Sequence, residues 1–167
     1  FGFLKETLVA PVPRTVIMLG RTLGGATVAT LQGIFVFILT LFVGFRPEIS
    51  PFLLLAPFYM LLFAILFTAL GTAIASRLND MQAFPLVMNF LIMPMFFLSG
   101  ALFPIDQLPA ALKFVVQVNP VSYGVDGMRI LLIHVGHFSL LLDVVVLAVV
   151  ATLCIAVGAV LFKLIEA

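Results

Sequence analysis

Four stretches of this chain are long and apolar enough to demand a lipid solvent. A helix rises about 1.5 Å per residue, so a hydrocarbon core about 30 Å thick takes about 20 residues to cross. Residues 22–45, 52–75, 83–103 and 140–162 each meet that length, and Asp143 is the one charge among them. Closed barrels also span membranes, but their strands alternate polar and apolar residues, and 58–70 does not alternate. A soluble core is excluded because only 9% of residues are charged, too few to build a polar shell. The expected fold is all-α: a single domain, a polytopic membrane bundle of four transmembrane helices.

The joints are polar and proline-broken. Arg46-Pro47-Glu48-Ile49-Ser50-Pro51 turns the first run into the second, and Ser76-Arg77-Leu78-Asn79-Asp80-Met81-Gln82 turns the second into the third. The connection from Pro104 to Ser139 is too long for a turn. Within it Asp106 suits an N-cap, Pro109 a first helical turn, and Leu108, Leu112, Val115 and Val116 share a face. Asn119-Pro120 stops that helix, and a second apolar piece follows with Tyr123, Asp126 and Arg129 at three-residue steps. The two pieces, about 106–134, predict an outer re-entrant helical hairpin, each limb too short to span. At the other end Phe1, Leu4 and Leu8 share a face and Pro11 and Pro13 end it, which predicts a short cytoplasmic amphipathic helix over about 1–10. The opening Phe1-Gly2-Phe3 lacks an initiator Met, so the chain is expected to be the later part of a longer protein. With the first run leading outward, Lys5, Arg14, Arg21, Arg77 and Lys163 lie inside against Arg46, Lys113 and Arg129 outside, the bias that insertion favours.

Charge and motifs exclude more than they assign. A net charge of +1 without a run of like charges argues against nucleic acid and against an anionic lipid surface, and leaves partners inside the membrane plane, membrane lipid among them. No GxxxxGK[ST] loop is present, so ATP would be hydrolysed by another chain; the spans hold no nucleophile–base pair, and neither catalysis nor a cofactor is expected. His134 and His137 offer two ligands where a metal site needs three or four, so they read as the polar end of a helix. Asp143, in the first turn of the last run, reads as stabilising that helix end, and the single Cys154 as a small hydrophobe. Gly20, Gly24, Gly25, Ala29, Gly33, Ala64, Thr68 and Thr72 recur at spacings that close helix contacts. Pro57, Pro85 and Pro94 serve either packing or a moving path. Asn89, Phe97 and Ser99 on the third run are candidate pathway residues, weighed against ordinary lipid-facing packing.

Three strings then resemble a known family. Phe97-Leu98-Ser99-Gly100-Ala101-Leu102-Phe103-Pro104-Ile105-Asp106-Gln107-Leu108-Pro109, with Val118-Asn119-Pro120-Val121-Ser122-Tyr123-Gly124-Val125-Asp126-Gly127-Met128-Arg129, is similar to the signature of type-2 ABC exporter permeases. Phe3-Leu4-Lys5-Glu6-Thr7-Leu8-Val9-Ala10-Pro11-Val12-Pro13-Arg14 resembles that family's coupling helix and the elbow after it. The resemblance implies the last four spans of a six-span permease half, in a bacterial or archaeal cytoplasmic membrane. It also implies a second permease half, identical or not, and an ATP-binding cassette ATPase subunit. By position Lys5, Glu6, Leu8, Pro11 and Arg14 would meet the ATPase, and the hairpin with Asp106, Tyr123, Asp126 and Arg129 would cap the exit, Asp126 pairing with Arg129. The function implied is ATP-driven export of a hydrophobic or amphipathic cargo. The alternatives are a structural or assembly subunit without its own path, and a secondary transporter.

Overall fold

Proline and glycine set the helix limits. The computed structural model describes residues 13–163 except 79, 81, 104 and 106–108, and for 14, 110, 111, 162 and 163 the backbone alone. Among the described residues there is no strand and there are six α-helices: α1 (Arg14–Phe42), α2 (Ala56–Ala75), α3 (Ala83–Phe97), α4 (Ala110–Val118), α5 (Pro120–Ile133) and α6 (Leu140–Lys163). A short 3-10 segment, Pro51–Leu55, leads into α2. The all-helical expectation holds. The predicted coupling helix over 1–10, and with it Lys5, Glu6, Leu8 and Pro11, lies outside the described residues, as does Asp106.

Among the described residues three helices are long and apolar enough to cross a membrane: Thr15–Phe42, Pro51–Ala75 and Leu140–Leu161. The first begins well before residue 22, because Arg14 and Arg21 continue a helix whose apolar part starts later. The third expected span, 83–103, holds the 15-residue helix α3, about 22 Å long at the usual rise and by itself short of a full core. Apolarity alone ran it on to Phe103. In the fold Pro94 withdraws an N–H inside the helix, and the chain turns at Ser99 and Gly100, where φ is +78°. Pro57 and Pro85 sit in the first turns of α2 and α3, where a missing N–H costs nothing, so Pro94 is the one interior proline.

Helix α2 is the hub. Its buried Ala56, Tyr59 and Leu66 join Tyr123 and Leu131 of α5 and Leu147 and Ala151 of α6 in one core. On α1, Met18, Thr22 and Ala26, one turn apart, are the buried stripe. Thr68 Oγ1 donates to Thr22 O at 3.1 Å, Thr68 also lies against Gly25, and Met60 against Gly33. These small residues close helix contacts as expected. Gly20 and Gly24 do not: a side chain there would meet nothing within 4 Å. Helix α3 has no buried residue and touches α2 where Phe84 and Met88 lie near Gly71.

Candidate functional site

The segment from Val118 to Arg129 builds a locked joint at one end of the bundle. Asn119 ends α4 and caps α5 at once: its Oδ1 accepts from Val121 N at 3.0 Å, while its Nδ2 donates to Met95 O of α3 at 2.6 Å. Pro120 follows at the first helical position, where its fixed φ suits the helix. The expected break at Asn119-Pro120 is therefore a cap shared by two helices. On α4 Val116 is buried and Val115 is 41% exposed, while Leu108 lies outside the described residues.

Helices α2 and α5 then meet at van der Waals limits. The Tyr59 hydroxyl donates to Tyr123 O at 2.5 Å, and the ring occupies the space where a Cβ on Gly127 would stand. One turn on, Phe63 does the same at Gly124. Any side chain at 124 or 127 would push the helices apart, which is why this stretch of α5 carries glycine at both. The Tyr123 hydroxyl donates to Gln117 O at 2.5 Å, tying α5 back to α4.

Asp126 faces the opposite way from the sequence expectation. Its carboxylate, 3% exposed, accepts the N–H of His137 at 2.7 Å and 3.0 Å and that of Phe138 at 2.8 Å. It thus holds the short loop between α5 and α6. The Tyr123 ring stacks on Phe138 with centroids 4.9 Å apart, and Ser139 Oγ accepts from Leu142 N at 3.3 Å to start α6. Gly136 completes the clasp, because a Cβ there would strike Ile130 and come 3.1 Å from Asp126 Oδ2.

The expected Asp126–Arg129 ion pair is not formed. The Arg129 guanidinium donates through Nη2 to Gly100 O at 2.9 Å and Ala101 O at 3.2 Å, fastening the turn after α3. Three-residue spacing places both charges on one stretch of α5, but the loop's N–H groups and the turn's carbonyls satisfy them separately. His134 ends α5 in the left-handed region with φ +56°; its ring is 3.7 Å from Glu48 and edge-on to Phe52. No group of three His, Cys, Asp or Glu able to hold a metal exists among the described residues. Asp143 is fully buried on α6, and neither carboxylate oxygen has a hydrogen-bond partner among the described residues.

Tyr123, Asp126 and Arg129 lie on successive turns of α5 and take separate partners. The pathway candidates are not gathered: Asn89 is exposed on α3 and Phe97 half-exposed, while Ser99 is buried, its hydroxyl donating to Phe96 O at 2.6 Å and accepting from Ala101 N. Arg14 opens α1, and only its backbone is described. Sequence reasoning missed Tyr59, Phe63, Gly124, Gly127 and Gly136. The readable signal was a pair of rings four residues apart facing a pair of glycines three apart.

A family model described as "ABC-2 type transporter" matches residues 1–133. Among curated relatives, the protein named transport permease ycf38 in Pyropia yezoensis is 33% identical over 135 residues, 78% of this chain and 45% of that protein. Nodulation protein J of Rhizobium meliloti (strain 1021) is 31% identical over 125 residues, 72% of this chain and 47% of its own length. The inner membrane transport permease YadH of Escherichia coli (strain K12) is 31% identical over 127 residues, 75% and 48%. The chain spans about half the length of these relatives. No solved structure matches.

Proposed function

Because this chain belongs to the ABC-2 type transporter family, we propose that it supplies the later spans of a permease half in an ATP-driven exporter, moving a hydrophobic or amphipathic cargo outward across a cytoplasmic membrane. A separate ATP-binding cassette subunit provides hydrolysis, and a second permease half completes the path. The observation that carries the reading is the joint itself. Within Val118 to Arg129, Asn119 caps, Gly124 and Gly127 receive rings, and Asp126 and Arg129 clasp backbone, which suits a part that transmits movement. In this reading residues 46–51 and 104–139, tied by the Glu48 N–H to Leu132 O bond of 2.9 Å, face outside. α3 with the turn to Gly100 makes the fourth crossing, α4 and α5 dip into the outer leaflet, and Asn89, Phe97 and Ser99 remain candidates for the path.

Lys5, Glu6, Leu8, Pro11 and Arg14 form the proposed ATPase contact. In the full-length permease Leu8→Asp is expected to weaken ATPase binding by about thirtyfold, the effect of losing an interface anchor of about 2 kcal/mol. Unchanged binding and unchanged transport per ATP would sink this reading and favour a passive membrane subunit. Orientation is tested separately with cysteines at 48 and 82 in a background without Cys154: an impermeant thiol reagent should reach the first only from outside and the second only from inside.

A further inference from the structure

Asp143 puts a carboxylate into the buried stripe of α6. Asp143, Leu147 and Ala151 stand one turn apart and are 0%, 0% and 4% exposed, and the last two join Tyr59 and Tyr123 in the core shared by α2, α5 and α6. Neither oxygen of Asp143 has a hydrogen-bond partner among the described residues. It shares its electrostatic surroundings with Tyr59 of α2 and with Tyr123 and Asp126 of α5, two phenols and a second acid. Asp126 is itself committed to the loop, where it takes the N–H groups of His137 and Phe138. The cations are engaged or placed elsewhere: Arg129 is turned to Gly100 O and Ala101 O, His134 lies by Glu48, and the seat of Met18 on Gly158 sets the start of α1, with Arg14 and Arg21, toward the other end of α6. A carboxylate stripped of water, with no donor and a second acid nearby, is a conflict inside an otherwise matched core. Its cost falls on the closed arrangement alone. Asp143 stands in the first turn of α6, beside the loop, so a small parting of the helices would return it to water. Two rings work the other way, since Tyr59 on Gly127 and Phe63 on Gly124 hold the same core shut.

We infer that Asp143 is a release built into this core: its unmatched carboxylate disfavours the closed packing of α2, α5 and α6 against the grip of the two rings, and so keeps the core able to open. Local mismatch of this kind belongs where a fold must move. A carboxylate that served only to support the start of α6 would act in the opposite direction, holding the core closed. The release depends on neither nucleotide, cargo nor the direction of transport.

The test uses the full-length permease in phosphatidylcholine nanodiscs, which leave both faces open to reagent, with Cys154→Ala and the reporter Ala56→Cys. Ala56 is 5% exposed in the same core, one turn before Tyr59, so a water-soluble methanethiosulfonate reaches a cysteine there only when the core opens. Asp143→Asn keeps the shape and removes the charge. It should slow that labelling about tenfold, equivalent to about 1.4 kcal/mol in favour of the closed core, without lowering the melting temperature. A cysteine in place of the exposed Glu48 should label at one rate with either residue at 143. Unchanged or faster labelling of the Ala56→Cys reporter with Asp143→Asn overturns the inference, because the carboxylate would then be supporting the closed core. An Asp143→Asn protein that melts lower or fails to fold overturns it for the same reason, as does a reporter that never labels while Asp143 is present.

Discussion

The phenol of Tyr59 on α2 sits directly on the backbone of Gly127 on α5, and its hydroxyl reaches Tyr123 O one turn away at 2.5 Å. Two effects can be separated at this contact. Tyr59→Phe loses one buried hydrogen bond and should cost about 1 kcal/mol. Gly127→Ala drives a methyl into the ring and should cost about 1–3 kcal/mol, with partial relief when Tyr59 is also made alanine. Thermal unfolding in detergent reads both, and a Gly127→Ala protein as stable as wild type would show that the helices are farther apart.

Asp126 and Arg129 should behave as independent residues. Asp126→Ala strands the N–H groups of His137 and Phe138 and should cost about 1.5–3 kcal/mol, because the bonds lost are to a charged group. Arg129→Gln releases the turn at Gly100 and Ala101. With no shared partner, the double mutant should equal the sum of the singles within about 0.5 kcal/mol. A larger coupling, with the double mutant milder than the sum, would restore the ion pair expected from spacing.

Gly100 and Gly44 both have positive φ, +78° and +105°, but only one is crowded. A Cβ at Gly100 would come 2.7 Å from Ile105, whereas at Gly44 it would meet nothing within 4 Å. Gly44→Ala should therefore cost only the backbone strain of about 1–2 kcal/mol. Gly100→Ala should cost more and should also slacken the turn that Arg129 grips. Comparing the melting temperatures of the two single mutants decides it.

Asp143 is the opposite case to Asp126. One carboxylate is served by three contacts from two N–H groups, the other by none among the described residues. An ionised carboxylate buried without donors destabilises, so Asp143→Asn should leave the melting temperature unchanged or raise it. A loss of about 1 kcal/mol or more would mean that the charge earns stability from the start of α6, as its place in the first turn suggested.

Where the sequence was readable, local chemistry decided the outcome. Apolar length and proline placed the turn at 46–51, the start of the last helix at Leu140 and the break at Asn119-Pro120. Where it was not, the deciding partner was far away or the signal was ambiguous. Hydropathy could not tell that Leu98 to Phe103 leaves the helix, since apolar residues serve a turn against the bundle as well as a span. Nor could it see that Arg14 to Arg21 is helical. Spacing along α5 proposed Arg129 for Asp126, but the donors were 11 and 12 residues on, in a loop whose shape depends on Gly136. The search for small residues four apart found Gly25 and Gly33, and passed over Gly124 and Gly127, three apart, because their meaning lies in the rings of another helix.

Two rings pressed into two glycine notches also restrict how this protein can change shape. A notch of that kind has no half-way position: sliding α5 along α2 by a fraction of a turn would ride both rings over backbone at once. The α2–α5 seam therefore holds or lets go as a whole, and continuous adjustment falls to α3, which has no buried residue, touches α2 through Phe84 and Met88 and is tied at its far end by Asn119 and Arg129. A pull at the N-terminal end of α3 would have to part Phe84 and Met88 from Gly71 before the helix could swing about those two ties.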